Sequence, residues 1–303
     1  MIESHLGEFS ALLTAIFWTF TALAFTQAGK KIGSLSVNFW RLVVGIVFIC
    51  SFSFIRFNSF FPQDIDLKGW FWLGLSGFIG VFLGDLFLFK AFTITGPRIA
   101  LLIMSIAPPI AALLSWIIFG VSLDAIDFIG MGVTIFGISL VILTRPINKG
   151  GEQTKIKLRH DTNGIIFALF GAIGQASGLV MSKVGLQSTS NPFFATQIRL
   201  FAGVFGFILL ITWLKRWNPI ISSLKNYKAI GILSIGSFFG PFLGISLSLV
   251  AIQYANPGIV QTITSITPVL IIPFSVWFFK EKITIREVIG AIIAVGGITL
   301  FFV

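Results

Sequence analysis

Long apolar runs alternate with short polar interruptions along the whole chain of 303 residues. A run of about 20 residues, at a rise of roughly 1.5 Å each, crosses a hydrocarbon core of about 30 Å. Ten such runs predict spanning helices at 7–27, 36–55, 69–91, 97–119, 125–144, 163–186, 192–214, 229–253, 257–279 and 284–302. Helices four and nine open on Gly96-Pro97 and Asn256-Pro257. Proline suits a first helical position, because the N–H it lacks has no intrahelical partner there. The pattern predicts an all-α polytopic membrane protein.

The punctuation of these runs occurs twice. Phe82–Ile142 matches Phe242–Phe302 at a constant offset of 160 with no gap, and seventeen of the 61 positions are identical. The identities include Gly84/Gly244, Pro97/Pro257, Pro108/Pro268, Ser115/Ser275, Gly130/Gly290 and Gly137/Gly297, and Gly80/Gly240 keeps the offset just upstream. Further upstream the offset is 158, where Arg41-Leu42 falls on Arg199-Leu200. Repeated Gly and Pro imply the same helix starts, bends and close contacts in two units. The chain therefore divides into a first five-helix repeat at 1–144, a polar linker at 145–162 and a second five-helix repeat at 163–303. An odd number of crossings per unit makes the second enter from the opposite face. The expectation is ten transmembrane helices as a 5+5 inverted repeat, with a pseudo-two-fold axis in the membrane plane.

Composition agrees with burial in lipid: 56% of residues are hydrophobic and 11% charged. The excess of 21 Lys and Arg over 11 Asp and Glu sits mostly in short loops, where it sets topology and meets anionic headgroups, not nucleic acid. Sixteen of these cations follow helices one, three, five, seven and nine, against Arg56, Lys68 and Lys183 on the other side. By the positive-inside rule the linker is cytoplasmic and both termini are outside. Glu3 and Glu8 precede the first apolar run, so it reads as a helix, not a cleaved leader. The single cysteine, Cys50, excludes an intrachain disulfide, and His5 and His160 lie in polar flanks, so no metal site is expected.

A charge near the bilayer centre costs roughly 2.5–3.5 kcal/mol and needs a partner or a wet cavity. Arg41 and Asp85 fall at similar depth in helices two and three and are expected to approach each other, near Lys90. Arg199 is the twin of Arg41, but the twin of Asp85 is Ile245. Arg199 must therefore snorkel, bond to carbonyls or face water and an anionic ligand; Arg199 or Lys183 is the candidate receiver of a substrate carboxylate. Gln261, Thr264, Ser265 and Pro268 form a polar stripe in helix nine where helix four has Leu101, Met104, Ser105 and Pro108. Interhelical hydrogen bonding and cavity lining both explain such a stripe. Pro108 and Pro268 free backbone carbonyls in mid-helix. Gln175 and Gln253 are further candidates, and Trp18 is the candidate aromatic. The Gly80/Gly84 and Gly236/Gly240/Gly244 spacings mark helices three and eight for close packing.

The ten-helix pattern, the Pro-bearing fourth helix of each half, and Phe279-Lys280-Glu281-Lys282-Ile283-Thr284 followed by Gly290 resemble the EamA family of the drug/metabolite transporter superfamily. Trp18, Arg41 and Arg199 also resemble common positions of that family. Lys280 replaces the usual Gly of the motif, and Gly120-Val121-Ser122-Leu123 in the first half lacks its Glu. The resemblance covers nearly the whole chain. It implies a secondary transporter or facilitator in the plasma (inner) membrane, exporting amino acids, their derivatives or amphipathic metabolites by alternating access through a central cavity. It also implies termini on the cytoplasmic side, opposite to the charge count. Proton coupling through Asp85, no cofactor, and a monomer or weak dimer complete the expectation. ATP drive is disfavoured, because the chain has no Gly-x4-Gly-Lys-Ser/Thr loop. The alternatives are a phosphorylated-sugar or nucleotide-sugar exchanger, a non-transporting membrane scaffold, and an intramembrane enzyme. The enzyme would need paired carboxylates, a Ser/His dyad or a metal cluster at depth.

Overall fold

The computed structural model describes residues 6–120, 125–144, 157–158, 161–189, 191–255, 257–279 and 284–299. The runs 121–124 and 280–283, which carry the family-like motif, and most of the 145–162 linker lie outside the described residues. Fifteen α-helices follow in order: α1 Leu6–Ile32, α2 Ser34–Phe57, α3 Leu67–Ser76, α4 Asp85–Thr95, α5 Pro97–Met104, α6 Ala107–Phe119, α7 Ala125–Ile142, α8 Thr162–Gly185, α9 Pro192–Trp213, α10 Trp217–Ser222, α11 Tyr227–Ser237, α12 Ile245–Tyr254, α13 Pro257–Thr264, α14 Thr267–Phe279 and α15 Ile285–Thr299. A two-residue ladder, β1 Leu143–Thr144 with β2 Lys157–Leu158, closes the first half. Seven helical runs among the described residues are long and apolar enough to cross a membrane. The shorter apolar stretches Phe128–Leu140 and Val288–Gly297 fall in the predicted fifth and tenth spans, and α13–α14 occupies the ninth.

Three departures from the predicted runs have local causes. Helices three and eight are not α-helical throughout: a π-helical turn at Gly77–Gly84 joins α3 to α4, and another at Phe238–Gly244 joins α11 to α12. The wider turn accommodates Pro241 inside the second segment. Helices four and nine break at Ser105-Ile106 and Ser265-Ile266, each break closed by tight bonds such as Ser105 N–H to Leu102 O at 3.0 Å. Pro108 and Pro268, each two residues beyond its break, withhold the N–H groups that a continuous α-ladder requires there. The loop after helix seven carries α10, pinned by Trp40 Nε1 donating to Ile220 O at 3.0 Å and by Trp217 stacking edge-on against Phe39.

Joints are short because particular residues permit them. Gly33 and Gly96 take φ near +80° and connect α1 to α2 and α4 to α5 with one residue each. Asp66 caps α3 by accepting from Gly69 N–H at 2.7 Å, which holds its carboxyl below the ordinary range. Asn191 caps α9 by accepting from the N–H groups of Phe193 and Phe194, with Pro192 at the first position.

The two halves touch reciprocally. A Cβ added to Gly137 would stand 2.5 Å from Ala294 N, and one added to Gly297 would stand 2.5 Å from Thr134 N. Gly137 and Gly297 are twins at offset 160, as are Thr134 and Ala294. Thr134 Oγ1 also donates to Ala294 O at 3.3 Å, so a residue meets its own twin. The same holds between α2, α9 and the π-turns: a Cβ on Gly45 would meet Pro241, and one on its twin Gly203 would meet Val81, the twin of Pro241. Contacts in which i meets j′ while j meets i′ are the mark of two-fold pairing. Lipid supplies no hydrophobic drive between helices, so such close backbone approach gives the van der Waals contact that holds them.

Candidate functional site

A cavity of about 140 Å³ lies where the π-turns, the broken helices and α1, α2, α8 and α9 converge. That is on the order of ten times the space one water molecule needs. Its charged lining residues are Arg41, Asp85 and Arg199. Trp18, Gln175, Gln261, Thr264, Ser265 and Pro268 also line it, so nine of the sequence-nominated residues meet in one chamber.

Arg41 spends both Nε and Nη2 on partners. Its Nη2 donates to Asp85 Oδ2 at 2.5 Å and to Val81 O at 3.4 Å, and its Nε donates to Asn38 Oδ1 at 3.1 Å. The guanidinium also lies 4.6 Å from the Phe89 ring centroid and 5.8 Å from that of Phe25. Asn38 sits one helical turn before Arg41 on the same face and reaches Asp85 O through Nδ2 at 3.3 Å. Gln175 Nε2 donates to the other carboxylate oxygen of Asp85. Both oxygens of Asp85 thus hold donors, which is the condition for keeping a buried ion pair. Lys90, expected nearby, is exposed instead.

Arg199 is buried to 4% exposure, and its Nε has no hydrogen-bond acceptor among the described residues. It neither snorkels nor pairs directly; the Asp85 charge attracts it only from a distance. Its environment follows from substitutions at twin positions. Asn38 becomes Thr196, whose hydroxyl bonds to Pro192 O at 2.9 Å. Asp85 becomes Ile245, and Phe89 becomes Leu249. Glycines seat the site: a side chain at Gly77 would strike the backbone of Arg199, and one at Gly84 would stand 3.1 Å from the backbone N of Gln175. The π-turn between these two glycines therefore carries Arg199 at one end and Gln175 with Asp85 at the other.

The opposite wall is the stripe on α13 and α14. Thr264 Oγ1 donates to Val260 O at 3.0 Å, and Ser265 Oγ donates to Gln261 O at 2.7 Å. With their protons spent on their own helix, these hydroxyls keep acceptor capacity. Trp18 lies against the second π-turn, where only Gly244 leaves room for its indole.

Three nominated residues are elsewhere. Lys183 leaves the chamber and lies 5.8 Å from the Phe119 ring centroid; eight residues beyond Gln175, it is rotated about 80° from that face. Gln253 is exposed for the same reason, eight residues beyond Ile245. Pro108 is buried without lining the cavity, whereas its neighbours Ser105 and Ala107 do line it. Asn38 and Phe89 were missed by the sequence reading. The i, i+3 spacing of Asn38 and Arg41 was a usable signal; nothing local pointed to Phe89. Among the described residues there is no group of three or more His, Cys, Asp or Glu able to hold a metal ion.

A model of the EamA-like transporter family matches the chain twice, over residues 5–143 and 162–303. An uncharacterized transporter of Archaeoglobus fulgidus is 24% identical over 290 residues, covering 96% of this chain and 95% of that one. Protein LicB of Haemophilus influenzae is 26% identical over 238 residues, covering 76% of each. The uncharacterized inner membrane transporter YhbE of Escherichia coli is 29% identical over 142 residues, covering 46% of this chain and 42% of its own. A solved crystal structure shares the fold with a TM-score of 0.63 at 16% identity, covering 98% of this chain and 95% of that one.

Proposed function

The chain belongs to the EamA-like transporter family, and from that premise we propose a secondary transporter or facilitator that moves a small organic metabolite by alternating access. The observation that carries the proposal is the buried, charged chamber between two reciprocally packed halves. A chamber on a pseudo-two-fold axis opens to either side when the halves exchange their arrangements. In this reading ten crossings form a 5+5 inverted repeat bounded at 1–144 and 163–303, in the plasma (inner) membrane. The π-turns and the breaks at Ser105 and Ser265 are the places where helices bend during the exchange.

The cargo classes this reading admits are amino acids, their derivatives and amphipathic metabolites, which the charges of the chamber narrow further, and the direction is export. A phosphorylated-sugar or nucleotide-sugar exchanger would need several free cations in the chamber. Arg41 is already neutralised by Asp85, which favours smaller, less anionic cargo. Proton coupling would operate through Asp85, whose protonation releases Arg41. The test is solute counterflow in proteoliposomes, with and without an imposed pH gradient. Flux carried by the wild type is expected to disappear in Gly77→Leu, which displaces Arg199. A pH-driven component is expected to vanish in Asp85→Asn. Absence of counterflow across a broad metabolite panel overturns the proposal.

A further inference from the structure

We infer that the chamber selects a small organic monoanion without a free ammonium group, its anionic head on Arg199. The inference rests on the transporter reading only in taking the chamber as a substrate site. Two arginines and one aspartate leave it with one net positive charge. Arg41 spends its Nε on Asn38 and its Nη2 on Asp85 and Val81. Arg199 is equally buried, but its Nε has no acceptor among the described residues. A buried cation with an unspent donor fits a carboxylate, which supplies both the charge and the acceptors.

The same arrangement disfavours a zwitterion. An ammonium group could hydrogen-bond to the Thr264 and Ser265 hydroxyls but would meet no unspent counter-charge, because Asp85, the acidic residue of the lining, already holds Arg41 and Gln175. It would also enter a chamber that is already positive. A dianion would bring a second charge with no cation to meet it. Leu88, Phe89, Phe92, Leu101, Met104 and Leu179 line the apolar part of the wall, so the body of the ligand is apolar. The volume suits about eight to ten non-hydrogen atoms, counting one per water-sized space.

The experiment is calorimetric titration of the purified full chain with four probes sharing one body: 4-methylpentanoate, 4-methylpentanamide, 4-methylpentylamine and leucine. Succinate is added as the dianion. The monocarboxylate is expected to bind about tenfold or more tighter than each of the others, the range set by one charge-assisted hydrogen-bonded contact. Arg199→Gln should weaken the carboxylate by about the same factor and leave the amide unchanged. Arg199→Lys should keep most of the preference. If Arg199→Gln does not fold, Ile245→Asp decides instead, because a carboxylate at the twin position of Asp85 occupies Arg199 and should abolish the preference. Leucine or the amine binding as tightly as 4-methylpentanoate overturns the inference, as does undetectable carboxylate binding or a preference that survives both Arg199→Gln and Ile245→Asp. Counterflow of the same probes separates the two readings. Carboxylate binding without movement of any solute removes the transporter reading and keeps the monoanion site. Movement of another solute class, with no carboxylate binding, does the reverse.

Discussion

Arg41 and Arg199 occupy twin positions in two copies of one unit, yet one is saturated and the other is not. Around Arg41 the first half places Asn38, Asp85, Phe89 and Phe25. Around Arg199 the second half keeps the helix and the close glycine contacts, but replaces the partners with Thr196, Ile245 and Leu249. The two copies share a scaffold, and differences at a few positions leave one of two equivalent cations tied to an acid and the other not.

The largest expected effect breaks the tie. Arg41→Gln leaves a buried carboxylate with only Gln175, and removing one partner of such a pair costs about 3–5 kcal/mol. Chemical unfolding in detergent measures it. Replacing both partners, Arg41→Leu with Asp85→Leu, is expected to recover most of that loss. A double variant no more stable than Arg41→Gln would show that the pair is not the unit of stability.

Next come the reciprocal glycines. Gly137→Ala and Gly297→Ala each push a methyl into backbone atoms 2.5 Å away, for a loss of about 1–3 kcal/mol. Two-fold pairing predicts similar losses for the two. Markedly unequal melting shifts would mean that the crossing of α7 and α15 is not symmetric.

A smaller effect sharpens the asymmetry directly. Ile245→Asp should be tolerated with Arg199 present and cost more in an Arg199→Gln background, a coupling of roughly 1–2 kcal/mol in a double-mutant cycle. Zero coupling would place position 245 out of reach of the guanidinium. The smallest change is expected for Arg199→Gln alone, within about 1 kcal/mol of the wild type, because it removes a buried charge whose Nε has no acceptor among the described residues. A loss as large as that of Arg41→Gln would erase the distinction between the two arginines.

The sequence by itself determined the membrane-spanning class, the duplication and the matched axial positions of Arg41 and Asp85. Depth is legible because helical rise is constant: Arg41 and Asp85 lie at matched distances from their shared loop, and the pair forms. The Gly80/Gly84 and Gly240/Gly244 spacings likewise foretold close approach, which Gly178, Gly174, Thr21 and Trp18 supply. Tertiary structure alone decided direction. Lys183 and Gln253 lie in the last turns of α8 and α12, displaced and rotated from the chamber, and the π-turns at Gly77–Gly84 and Phe238–Gly244 shift the phase of everything after them. Pro241 marks the second turn in the sequence but nothing local announces the first, and the freed carbonyls are satisfied by other helices, as Val81 O is by Arg41 and Gly236 O by Thr21. Axial position is a property of one helix, whereas the facing of a side chain is set by the neighbours that pack around it.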